Sequence, residues 1–250
     1  MPASNEPVGR SPADDGGIRR ATGLVVTCEH GDHVVPREHA ALFDGAEEVL
    51  RSHRGWDPGS RRIAEELAGR LGVAPIIHDV TRLLVDANRS LDNPTCFSEF
   101  TRGLARTTRD AIVHTHYLPH RRRVEAAVAG AISEHGRCLH LAVHTFTPTL
   151  DGMERTVDVG LLFDPARLWE ERLARRWRAN LLASGERWRV GLNDPYLGTD
   201  DGLTTSLRLR HGDEEYAGIE IEIGQAVLSA GATPSRVADR LVAGLGDPAR

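Results

Sequence analysis

Two histidine-bearing segments follow apolar runs in this chain. Cys28-Glu29-His30-Gly31-Asp32-His33-Val34-Val35-Pro36 comes after Gly23-Leu24-Val25-Val26-Thr27, and His144-Thr145-Phe146-Thr147-Pro148 comes after Cys138-Leu139-His140-Leu141-Ala142-Val143. Each run reads as a buried strand, and in an open α/β sheet ligands gather just beyond the carboxyl ends of strands. Two strands that both end in His therefore imply one shared mouth over a sheet. With a carboxylate beside them the imidazoles suit a zinc ion, and zinc in an open site carries hydrolysis.

Three further segments hold residues of the right chemistry. His53-Arg54-Gly55-Trp56-Asp57-Pro58-Gly59 is a polar loop that opens a helix. Asp57 there is either a helix N-cap, as Asp before Pro commonly is, or a metal ligand. In Thr81-Arg82-Leu83-Leu84-Val85-Asp86-Ala87-Asn88-Arg89 the polar groups frame an apolar core. An Arg there either forks onto a substrate carboxylate or ties Asp86 to a neighbour. Glu220 and Glu222 in Gly218-Ile219-Glu220-Ile221-Glu222-Ile223 lie two apart, so both point to one face of their strand while the isoleucines face the other way. Either that face is solvated on an edge strand, or it meets a cavity, a metal or a cation, because buried carboxylates without a partner are costly. A general base for water is one such use.

The elements that must position these residues alternate between strand and helix. Strands are predicted at 24–27, 74–78, 82–86, 139–143, 157–163 and 218–223. Helices are predicted at 58–71, 119–134, 165–184 and 234–245, from apolar residues at helical spacing. This alternation predicts a single α/β domain with a central, mostly parallel, mixed sheet and helices on both faces. A chain of 250 residues can bury a full core as one domain. The Pro2–Gly17 stretch is poor in apolar residues, so residues 1–20 are expected to form a disordered tail and 21–250 the folded, catalytic part. The net charge of −5, with the two signs interspersed, offers no electrostatic footprint for nucleic acid. No apolar run is long enough to span a membrane, and no signal-peptide pattern opens the chain. Cys28, Cys96 and Cys138 are three in number and widely spaced, which suits a reducing cytoplasm and argues against a thiolate zinc site.

Taken together, the segments resemble the N-formylglutamate amidohydrolase family, which is related to the zinc carboxypeptidases. The blocks run from about Val25 to Val227. Where the family has C-E-H-x-x-N-x-V-P, this chain has CEHGDHVVP. Where it has D-x-G-x-D-x-G-A, the chain has HRGWDPGS. S-R-L-x-x-D-x-N-R corresponds to TRLLVDANR, Y-x-P-Y-H to YLPHR, H-S-F-T-P to HTFTP and E-I-R-Q-D-L to EIGQAVL. The order and spacing of six blocks is far more specific than any one of them. The chain departs at His53 for the first Asp of the second block, at Arg121 for the His of the fourth (with His120 one position earlier), and at Gly224 and Ala226 for the Arg and Asp of the last.

The resemblance implies a zinc-exopeptidase-like fold and one zinc ion held by His30, His144 and a third ligand. That third ligand is expected to be Asp57, with His33 as the alternative, because zinc carboxypeptidases place a Glu at the position His33 occupies. It implies Glu222 as the base, with Glu220 beside it on the same face, and Arg89 with Asn88 near a substrate carboxylate. Arg82 either shares that task or braces Asp86. The reaction implied is hydrolysis of the amide C–N bond of a small N-acyl amino acid, with deformylation of N-formylglutamate as the family's example. Two alternatives stand beside it: a small-acid binding protein on the same fold, and a zinc peptidase or amidase acting on short peptides.

Overall fold

The sheet is built from six strands: β1 (Gly23–Cys28), β2 (Ile76–Ile77), β3 (Cys138–Phe146), β6 (Val159–Leu162), β7 (Val190–Leu192) and β8 (Tyr216–Gly224). A separate small hairpin joins β4 (Thr149–Leu150) to β5 (Met153–Glu154). The helices are α1 (Glu47–Arg51), α2 (Ser60–Leu71), α3 (Arg106–Ile112), α4 (Leu118–His135), α5 (Leu168–Ala183), α6 (Leu203–Arg208), α7 (Gln225–Ser229) and α8 (Pro234–Leu245). This computed structural model describes residues 22–150, 152–185 and 188–247. The tail expected at residues 1–20 lies outside the described residues.

Strand order is β2-β1-β3-β8-β6-β7. All neighbours run parallel except β6 and β8, which are antiparallel, so the sheet is mixed and mostly parallel. The pleat then sorts the side chains. Val26, Leu139, Leu141, Val143, Val159, Leu161, Ala217, Ile219, Ile221 and Ile223 form one apolar face. Helices α2, α5 and α8 cover it, contributing Ile63, Leu67, Leu173, Trp177, Val237 and Leu241. On the other face α4 and α6 pack Val124, Val128, Leu203 and Leu207 against Val25, Cys138 and Tyr216. That second face also carries His140, His144, Glu220 and Glu222, all buried. Burying so many polar groups in one place is tolerated only where partners or a ligand satisfy them.

β8 lies between β3 and β6 and is buried along its whole length. The solvated-edge reading of its two glutamates therefore fails. Close approach next to it requires glycine: a Cβ on Gly160 would lie 2.2 Å from the Asp194 carbonyl oxygen and 3.3 Å from Glu222 Cβ.

Two predicted elements need correction. Residues 82–86 form a buried turn, with no strand. Thr81 starts that turn, its hydroxyl accepting from the Leu83 amide at 3.3 Å and its carbonyl from the Leu84 amide at 3.0 Å. Leu83, Leu84 and Val85 serve a satellite core with Phe43, Leu50, Ile112 and Tyr117 rather than the sheet. The helix expected at 119–134 extends back to Arg106 through a π-turn, Val113–Tyr117. Pro119 sits just after it, and a proline inside a helix removes an amide and crowds the preceding turn, which a wider π-turn accommodates. By contrast α8 matches its predicted bounds. Thr233 caps it by accepting from the Arg236 amide at 3.2 Å, and Pro234 opens its first turn.

Candidate active site

β1 and β3 are parallel neighbours, with Thr27 opposite Ala142, so their carboxyl ends stand side by side. His30 follows the first and His144 lies near the end of the second. Their rings approach edge to face at 5.1 Å. Asp57 enters from the loop before α2, its amide donating to the His30 carbonyl at 3.0 Å. Gly59, in the left-handed region at φ 92°, precedes the first residue of α2, and no side chain caps that helix. The Asp57 carboxylate is thus not spent as an N-cap. Its Oδ2 lies 3.4 Å from His30 Nδ1 and 3.0 Å from His144 Nδ1. His30, Asp57 and His144 offer ligand atoms that all lie within 4.8 Å of one another, and all three are buried. They could hold a metal ion.

His33, the alternative third ligand, is not part of this group. Its Nδ1 lies 3.1 Å from Asp32 Oδ1, and its ring rests 5.1 Å from that of Trp56.

Behind each imidazole stands a second carboxylate. His30 Nε2 donates to Asp86 Oδ1 at 2.7 Å, and His144 Nε2 lies 3.1 Å from Glu29 Oε2. At His30 the acceptor on Nε2 fixes the tautomer that leaves the Nδ1 lone pair for a metal, and such carboxylate–histidine pairing recurs in metal sites. Arg82 binds Asp86 Oδ2 through Nη2 at 2.8 Å and Nε at 3.2 Å, and reaches Asp57 Oδ1 at 3.4 Å. Charge also fits a cation. Glu29, Asp57, Asp86 and Glu222 are four buried carboxylates around two imidazoles, and Arg82 is bonded to two of them, Asp57 and Asp86. A divalent ion meets that deficit without protonating the ligands.

In the metal-free protein the histidines carry the compensating charge instead. Burial opposes protonation of His144, but Asp57, Glu29 and Glu222 outweigh it and raise its pKa well above the ordinary value. His30 is raised likewise, with Asp86 and Asp57 prevailing over burial and Arg82. Asp57 and Asp86 are held below the usual carboxylate range despite burial, by His30, His144 and Arg82 for the first and by Arg82 and His30 for the second.

Glu222 pairs in register with His144 across β3 and β8. Burial pushes its pKa up to about 7, with Asp57 and Glu220 adding to the rise and His144 opposing it. Its Oε2 is buried and makes no hydrogen bond. Glu220 differs, since Thr204 donates its hydroxyl to it. Of the two glutamates the sequence could not separate, Glu222 is the one with a buried, unpartnered oxygen.

These groups line one pocket of about 190 Å³ with His53, Arg82, Asn88, Arg89, Tyr196 and Asp201. Arg89 Nη1 donates to the carbonyls of Asp201 and Asn88, and its Nε and Nη2 have no acceptor among the described residues. Asn88 Oδ1 accepts from the Leu203 amide at 2.8 Å, leaving its amide nitrogen for the pocket. Arg82 lines the same pocket but is committed to Asp86 and Asp57.

Sequence reasoning assigned no role to Glu29, though it sits beside His30, and treated Asp86 only as a partner of Arg82. It missed Tyr196 and the loop at 196–201 altogether, because that loop carries no motif that local pattern could flag.

A family model described as N-formylglutamate amidohydrolase matches residues 22–229. Among solved structures, a gene product of Agrobacterium tumefaciens superposes with a TM-score of 0.78 at 26% identity, over 92% of this chain and 91% of that one. An N-formylglutamate amidohydrolase from Ralstonia eutropha superposes with a TM-score of 0.63 at 19% identity, over 90% of this chain and 91% of that one. No curated protein sequence matches the chain. Among the described residues no helix is long and apolar enough to cross a membrane.

Proposed function

Because this chain belongs to the N-formylglutamate amidohydrolase family, we propose that it is a zinc-dependent amidohydrolase of a reducing cytoplasm. Its substrate class is small N-acyl amino acids, with N-formyl amino acids such as N-formylglutamate foremost. The observation that carries this reading is the convergence of two carboxylate-backed imidazoles on Asp57, beside the unpartnered Oε2 of Glu222. His30, Asp57 and His144 would hold the ion, a His₂-carboxylate set suited to an open zinc site. When bound, zinc would polarise the acyl oxygen and acidify a water to a pKa of about 7.

The remaining work falls to the chain's own residues. Glu222, whose Oε2 is buried and unpartnered, takes a proton from the attacking water and returns it to the leaving amine. Arg89 turns its free Nε and Nη2 toward the substrate carboxylate, where a planar fork makes two charge-assisted bonds. The Asn88 amide adds a donor to the same pocket wall. Arg82 holds Asp57 and Asp86 in place, and so acts on the ligands rather than on the substrate.

Elemental analysis of the purified protein, combined with a panel of N-acyl amino acids and short peptides assayed for released acid, tests this reading. We expect zinc in the purified protein, one equivalent of it lost in the His30→Ala/His144→Ala double variant, and release of formate from at least one N-formyl amino acid. Full turnover by metal-free protein, or by the His30→Ala/His144→Ala double variant, would overturn it. So would a wild type inert to the whole panel whose Glu222→Gln variant binds the same small acids unchanged, which is the behaviour of a binding protein.

A further inference from the structure

Away from the pocket, Glu38 and His39 on the 3₁₀ turn Arg37–Phe43 meet His116 on the π-turn Val113–Tyr117. Their ligand atoms all lie within 4.8 Å of one another. The rings of His39 and His116 stand edge to face at 5.6 Å. His116 Nε2 lies 3.6 Å from Glu38 Oε1, too far for a hydrogen bond, and it is buried with no hydrogen-bond partner. A buried imidazole nitrogen left without a partner is costly, and such groups call for a ligand or a water. Glu38 is exposed and His39 half-buried, so both can close onto an ion without disturbing the core.

The geometry points to a second metal site here, formed by Glu38, His39 and His116 and selective for a divalent transition metal. Two imidazole nitrogens and one carboxylate oxygen suit Zn²⁺, Co²⁺, Ni²⁺ or Cu²⁺, whereas Ca²⁺ and Mg²⁺ prefer sites made of oxygen alone. Tetrahedral zinc with bonds of about 2.0–2.1 Å needs ligand atoms about 3.4 Å apart. The Glu38–His116 spacing is already close to that.

The site staples two segments that are distant in sequence and join the same satellite core, through Phe43 on one side and Tyr117 on the other. Tyr117, the residue after His116, donates its hydroxyl to the Arg89 carbonyl at 2.8 Å. A bound ion therefore braces the wall of the substrate pocket without touching the substrate. An ion that binds the folded chain and not the unfolded one also raises its stability by mass action.

Equilibrium dialysis against Co²⁺, with absorption spectra of the bound ion, tests the site using the metal alone. Wild type should bind one equivalent more than His39→Ala/His116→Ala, and the lost equivalent should also be lost, or bound more weakly, in Glu38→Gln. The double variant should lose the rise in melting temperature that the extra equivalent confers. The comparison does not depend on the hydrolase reading. If the His30–Asp57–His144 group binds no metal, wild type holds one equivalent and the double variant none. Equal stoichiometry and equal melting behaviour in wild type and both variants overturn the proposal. His39→Gln, which keeps a polar side chain in the turn, guards against misfolding. If folded His39→Gln protein retains the full wild-type stoichiometry and affinity, the proposal fails as well.

Discussion

Replacing Asp86 by Asn probes the least visible part of the candidate metal site. Asp86 is 4% exposed and accepts on both oxygens. Oδ1 takes His30 Nε2 at 2.7 Å and the Asn88 amide at 2.9 Å, while Oδ2 takes Arg82 Nη2 at 2.8 Å and Nε at 3.2 Å. Asparagine offers one acceptor and one donor end, yet donors stand on both sides. If its oxygen faces His30, its NH₂ opposes the Arg82 fork. If its NH₂ faces His30, the imidazole must move its proton to Nδ1, the atom meant for the metal.

Either orientation has a measurable cost. The first leaves a guanidinium without its main partner. Arg82 is a quarter exposed and still reaches Asp57, so the loss is about 1–3 kcal/mol rather than the larger figure for a fully buried broken pair. The second weakens the ligand, and loss of such a supporting carboxylate typically costs roughly 10–100-fold in metal affinity. That range corresponds to about 1.4–2.7 kcal/mol. Competition with a chromophoric chelator gives the zinc Kd, and urea unfolding of metal-free protein gives the stability. Glu171→Gln, which removes an exposed i,i+4 pair with Arg175, serves as the control and should change neither. A zinc Kd within twofold of wild type, together with unchanged unfolding, would refute the assignment of Asp86 as the group that orients His30.

Three further outcomes are expected. Glu222→Gln should keep zinc but lose roughly 10²–10⁴-fold in kcat, read by steady-state kinetics alongside metal content. An active Glu222→Gln with a dead Glu220→Gln would move the base by two residues on β8. Arg89→Ala should raise KM for carboxylate-bearing substrates more than it lowers kcat, and should leave KM for the corresponding N-acyl amine nearly unchanged. Equal effects on the two substrates would remove Arg89 from carboxylate recognition. His140 should make the fold sensitive to acid. Its nitrogens engage Thr27 and Tyr216 at 2.8 Å each, and burial pushes its pKa down from 6.5 to about 4. Below pH 6.5 the unfolded chain therefore binds a proton that the folded chain refuses, and stability falls as pH drops toward 4 by about 3 kcal/mol in all. Urea unfolding of wild type and His140→Gln across pH 7 to 4 should give a shallower loss for the variant, and coincident slopes would contradict this account.

The sequence by itself determined what local period and local chemistry can encode. Alternation in Gly218–Ile223 placed Glu220 and Glu222 together on one face, because side chains in a strand repeat every two residues. Apolar residues at helical spacing after Pro234 set the bounds of α8, because proline is tolerated in a helix only in its first turn. The two apolar runs that precede His30 and His144 put both at carboxyl ends of strands, and six short blocks in order pointed to the family. Local pattern failed where burial was supplied from elsewhere. Leu83–Val85 looks like a strand because it is apolar, but a satellite core of helices and loops buries it as a turn. Asp57 was poised between helix cap and ligand because both uses ask for the same residue before the same proline. The tertiary structure does not spend Asp57 as a cap, since α2 starts after a left-handed Gly59, and it brings the carboxylate to imidazoles 27 and 87 residues away in sequence. Glu29 and Asp86 come to lie beside His144 and His30 in the same way. Sheet order decides such meetings: β1 must lie beside β3, and β3 beside β8, before these side chains share a volume.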